Sequence, residues 1–101
     1  MNKEKYLELY DKLYDELCEI SEEILPFYDV DKVKSYSVYI WTKGKDNVNV
    51  FDIHAEKIVF YDKEHEIIEE AKIIIEKIQE KLREIKYLEN NKEAYMREIK
   101  N

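Results

Sequence analysis

The stretch from Asp62 to Glu89, DKEHEIIEEAKIIIEKIQEKLREIKYLE, constrains the fold more than any other part of the chain. Ile68, Ala71, Ile75, Ile78, Leu82 and Ile85 recur three and four residues apart, which lays them along one side of an α-helix. Ile67, Ile74 and Leu88 widen the stripe. The pattern predicts a helix over 63–89. Asp62 is the expected N-cap, with Glu64 and Glu66 in the first turn, where carboxylates suit the unpaired N–H groups. Glu69–Lys72 and Glu80–Arg83 are expected as i,i+3 ion pairs on its wet side. A helix with this much apolar face is stable only against a partner that covers it.

The N-terminal stretch supplies one. Tyr6, Tyr10, Leu13, Leu17, Ile20 and Ile24 repeat at spacings of 4, 3, 4, 3 and 4, with Leu7, Tyr14 and Cys18 beside them. The predicted helix covers 3–25 and ends at Pro26, which has no N–H and disfavours helical geometry at Leu25. Residues 27–34 read as a connector. Alternation then predicts strands over 35–43, 48–55 and 58–61. Between the first two, Lys43-Gly44-Lys45-Asp46-Asn47 is a turn with the only glycine where a positive φ is needed. Val48 and Val50 share one face of the second strand, and Phe51, Ile53 and Ala55 the other. The phase therefore slips between Val50 and Phe51, the mark of a bulge or of a strand buried on both sides. Residues 92–100 read as a short helix or a tail, with Tyr95, Met96 and Ile99 apolar.

The fold class that follows is α+β. A single domain over 1–101 has order α-β-β-β-α, with two long amphipathic helices packed on a small three-stranded antiparallel sheet. The alternative is a helical hairpin whose strands pair with another chain. Heptad spacing also suggests a coiled-coil dimer, but sustained heptads run for only about 18 residues in each helix, short of the three to four repeats that define one. An intrachain core is the expectation.

Charge narrows the functional classes. Asp and Glu number 24 against 17 Lys and Arg, a formal net charge of −7. Direct binding to nucleic acid is not expected, because phosphate contact needs a basic face. An acidic surface suits a basic protein partner. The single cysteine forms no intrachain disulfide. The longest apolar runs are four residues, such as Val38–Trp41, so no membrane span is expected. MNKEKYLELYD carries no apolar signal core, and the expected location is cytoplasmic.

Two surfaces are candidates for partner binding. One is an acidic stripe on the first helix: Glu8, Asp11, Asp15, Glu19 and Glu22, three or four residues apart. Carboxylates on successive turns lie about 5–6 Å apart, near the phosphate spacing of one nucleic-acid strand, so the stripe has the form of a phosphate mimic. The other is aromatic. Nine tyrosines and one tryptophan are many for 101 residues, and Tyr39, Trp41, Phe51 and Tyr61 are expected on the sheet face that the helices leave open.

Catalytic chemistry finds little support. No Gly-rich phosphate loop, Ser-His-Asp order or paired-Cys motif occurs, and Cys18 lies mid-helix beside the apolar stripe, the setting of an inert thiol. Asp52, His54 and His65 are weak metal candidates that complete no known ligand spacing. The chain is therefore expected to be non-enzymatic and without a cofactor. In size, acidity and mix of helix and sheet it resembles small phage or mobile-element inhibitors, including some anti-CRISPR proteins. That resemblance implies a protein that inhibits or masks a protein partner, one that handles nucleic acid and is itself basic. The alternatives are a homodimeric scaffold joined through the long helices or sheet edges, and a protein that sequesters a small ligand or metal.

Overall fold

A computed structural model describes residues 3–97. The elements are α1 (Lys3–Glu22), β1 (Asp29–Lys34), β2 (Ser37–Trp41), β3 (Asn49–His54), β4 (Ile58–Phe60), α2 (Lys72–Asn90) and α3 (Lys92–Arg97), with a 3-10 turn at Glu69–Ala71 leading into α2. The class is α+β as expected. The sheet, however, has four antiparallel strands in the order β1-β2-β3-β4 rather than three.

The extra strand is β1, expected as a connector. Its two valines stand three residues apart, which breaks the alternation of a strand. The register explains this. Val30 pairs with Ile40, Lys32 with Tyr39 and Val33 with Val38, so Asp31 is the additional residue of a bulge. The bulge returns both valines to the same face. A second bulge lies where the phase slip was expected: Ile40 pairs with Phe51 and Trp41 with Asn49, and Val50 is skipped. Gly44 has φ of 109°, as its turn requires.

Cross-strand pairs share a face. One face therefore carries Val30, Ile40, Phe51 and Phe60, and beside them Val33, Val38, Ile53 and Ile58. The helices cover this face, α1 over β1 and α2 over β3. Leu17, Ile24, Val38, Ile40, Phe51, Ile53, Ile78 and Ile85 are completely buried there. Each contributes about 1.5–3 kcal/mol through the hydrophobic effect. The apolar stripes of both helices are thus consumed inside the chain.

Both helix boundaries differ from expectation. α1 ends at Glu22, three residues early. The N–H groups of Glu23, Ile24 and Leu25 bond to carbonyls three residues back rather than four, tightening the chain into turns before Pro26. The second helix starts at the 3-10 turn rather than at residue 63, and Asp62 is not its cap. Its carboxylate accepts the Glu64 N–H at 3.1 Å in a local turn. Residues 65–68 instead form no regular element, with Ile68 extended at φ −55° and ψ 127°. Ile67 and Ile68 pack against the core. α3 forms over Lys92–Arg97 and touches α1. The side chains of Tyr95 and Met96, and Ile99 altogether, lie outside the described residues.

Candidate functional site

α1 divides its acids between two jobs. At 100° per residue, Glu8, Asp11, Asp15, Glu19 and Glu22 fall in an arc of about 80°, opposite the buried Leu17 and Ile24. All five are exposed, and none pairs with a described cation. The acids on the flank toward α2 are paired: Glu16 on the helix meets Lys81 at 2.8 Å, and Glu23, in the turn that follows it, meets Lys77 at 3.3 Å. Lys81 also meets Glu84 at 2.7 Å. Burial pulls the Lys81 pKa down, but the hydrogen bonds it donates to Glu16 and Glu84 outweigh this and leave the pKa raised. The same bond lowers that of Glu16. Of the pairs expected on α2, Glu69–Lys72 forms at 2.7 Å, whereas Arg83 donates to the Ala55 carbonyl at 3.0 Å instead of pairing with Glu80.

The second candidate surface is the sheet face away from the helices. Register places Tyr39 beside Asp52 and Trp41 beside Asn49 on that face, with Lys32 opposite Tyr39. Tyr61 follows β4, and its hydroxyl donates to the buried Asp52 carboxylate at 2.7 Å. That bond raises the phenol's pKa. Asn49 donates to the same carboxylate at 3.2 Å. Tyr39 and Trp41 are half-buried, and Tyr61 is exposed. The Trp41 indole N–H is shielded and, among the described residues, has no hydrogen-bond partner. Phe51 does not join this group. It pairs with Ile40 on the helix-covered face and is completely buried, because the bulge at Val50 reverses the phase of the strand.

The metal candidates are separated by the sheet itself. Asp52 and His54 lie on the open face. His65 is on the core side, where its ring stacks on Phe51 with centroids 6.0 Å apart. Its Nε2 hydrogen-bonds to the Tyr28 hydroxyl at 2.6 Å, and the same hydroxyl accepts the Ile68 N–H at 3.0 Å. Among the described residues, no three His, Cys, Asp or Glu side chains are grouped to hold a metal. Tyr28 carried no sequence signal. Its role depends on a residue 37 positions away.

Both sheet edges are blunted against further pairing. β4 is three residues long, and β1 is bulged and carries Asp29, Asp31, Lys32 and Lys34. Cys18 is half-buried on α1, and burial raises its thiol pKa. No helix among the described residues is long and apolar enough to cross a membrane.

The fold and its surfaces define a two-layer α+β protein with one open sheet face and one acidic helix face. Compared with protein-family models, with curated proteins and with solved structures, the chain matches none of them.

Proposed function

We propose that this chain is a non-enzymatic binding protein that masks a basic surface on a protein partner through the outward face of α1. The observation that carries the reading is the division of acids on that helix. Glu16 and Glu23 are held by lysines of α2, whereas Glu8, Asp11, Asp15, Glu19 and Glu22 stand exposed without a paired cation among the described residues. Their mutual repulsion gives the isolated protein no stability. A partner's lysines and arginines would relieve it. A basic partner that handles nucleic acid fits the mimicry of phosphate spacing, and inhibition would follow from occupying its groove.

The test is capture of partners on the immobilised protein at low salt, followed by elution in salt steps, with Asp15→Lys/Glu19→Lys alongside. A basic protein that is released by salt and absent from the double variant is the expected result. A partner held equally by the variant, or insensitive to salt, would sink the reading.

One observation favours a second reading, self-association through the open sheet face. Tyr39, Trp41 and Tyr61 gather there, and the shielded Trp41 N–H lacks a partner. Light scattering across a concentration series separates the two, since the first reading expects a constant monomer mass.

A further inference from the structure

The turn between β1 and β2 meets α1 and the end of α2, and there Tyr6, Leu7, Tyr10, Tyr36, Glu89 and Lys92 line a recess of about 430 Å³. Tyr6 is buried and forms the floor, Tyr10 is half-buried, and Leu7 and Tyr36 are exposed at the rim. The Tyr6 and Tyr10 rings lie 6.3 Å apart, tilted by 31°. Glu89 stands among them: its carboxylate raises the pKa of Tyr36, and its charge adds to burial in raising that of Tyr6.

Aromatic faces are electron-rich, and a carboxylate beside them adds negative charge, so this combination attracts cations. The chain demonstrates the preference itself, because Lys92 Nζ lies over the Tyr6 ring at 5.6 Å from its centroid. A guanidinium suits the recess better than an ammonium. It is planar, stacks on rings and offers five N–H donors to phenol and carboxylate oxygens. Location points the same way. Asp11, four residues after Leu7, belongs to the acidic face and adjoins the rim.

We propose that this recess, formed by Tyr6, Tyr10, Tyr36 and Glu89, is a binding site for an arginine side chain of the partner, whose guanidinium displaces the Lys92 ammonium. The inference deepens the reading of an acidic surface that takes a basic partner, and it rests on that reading for the identity of the guest.

Its test uses N-acetyl-arginine amide as the guest, followed by NMR of the tyrosine rings in the full chain, with N-acetyl-citrulline amide as the neutral control. A saturable shift with the arginine compound and none with citrulline is expected. Affinity should fall by about tenfold or more in Glu89→Gln and in Tyr36→Ala, and should rise in Lys92→Met. Unchanged core methyl signals establish that the variants remain folded. A response that does not saturate, that citrulline reproduces, or that survives Glu89→Gln overturns the site. Unchanged or weaker affinity in Lys92→Met overturns the displacement. Arginine binding without any salt-sensitive partner leaves the recess standing and removes the masking function. A salt-sensitive partner without arginine binding does the reverse.

Discussion

Tyr28 concentrates several constraints on one hydroxyl. The side chain is buried, its ring meets Phe51 edge-on at 5.3 Å, and its oxygen serves both the Ile68 N–H and His65. Burial raises its pKa, and the Ile68 N–H partly opposes that. Tyr28→Phe keeps the ring but leaves a shielded N–H unpaired, which is expected to cost about 1–3 kcal/mol and to appear as a lower urea midpoint with an unchanged slope. Cys18 supplies a second expectation. With its thiol pKa raised by burial, it should react slowly with a disulfide reagent near neutral pH and rapidly once denaturant is added. Fast reaction in the folded protein would mean that the α1–β1 contact opens readily.

The two long helices are joined chiefly by their apolar stripes, and one charged cluster bridges them at the surface. Lys81 sits between Glu16 of α1 and Glu84 of its own helix. A lowered carboxyl pKa contributes stability above the unfolded value, 4.5, and loses it as pH falls through the folded one. A raised ammonium pKa contributes below its unfolded value, 10.5, and loses it as pH rises through the folded one. The cluster therefore acts between those limits. Glu16 is 37% exposed, so screening keeps its share under about 1 kcal/mol. Glu16→Gln should lower stability at neutral pH and match the wild type in strong acid, as chemical denaturation across pH would record. The stripe acids behave oppositely. Asp15→Lys/Glu19→Lys removes no described contact, so its stability should stay within about 0.5 kcal/mol of wild type, or rise as repulsion is relieved.

Taken whole, the molecule is long and narrow, with extents of 54 × 21 × 21 Å and a radius of gyration of 15.8 Å. A rounder domain of this length would have about 13 Å. Small-angle scattering of the monomer should therefore give a value well above the compact expectation. The elongation gives α1 a continuous outward face, with the tyrosine recess beside its first turns. The core that supports this shape depends on residues such as Leu82 and Ile85, both buried on α2. Leu82→Ala is expected to cost about 2–5 kcal/mol, a large part of the stability of a domain this small.

Period and punctuation alone were enough to locate both helices, the α+β class, the turn at Gly44 and the bulge near Val50, because each depends on residues close together in the chain. The acidic face of α1 was legible for the same reason. Other features depended on pairings between distant residues. β1 was hidden because its valines align only when a bulge against β2 inserts Asp31. The late start of α2 was hidden because Tyr28 captures the Ile68 N–H across 40 positions. Phe51 reads as an open-face aromatic until the register turns it inward. The tyrosine recess draws on α1, the β1–β2 turn and the end of α2. Local spacing decides which side of an element is apolar. Only packing decides which element that side meets, and so which charges and rings remain for a partner.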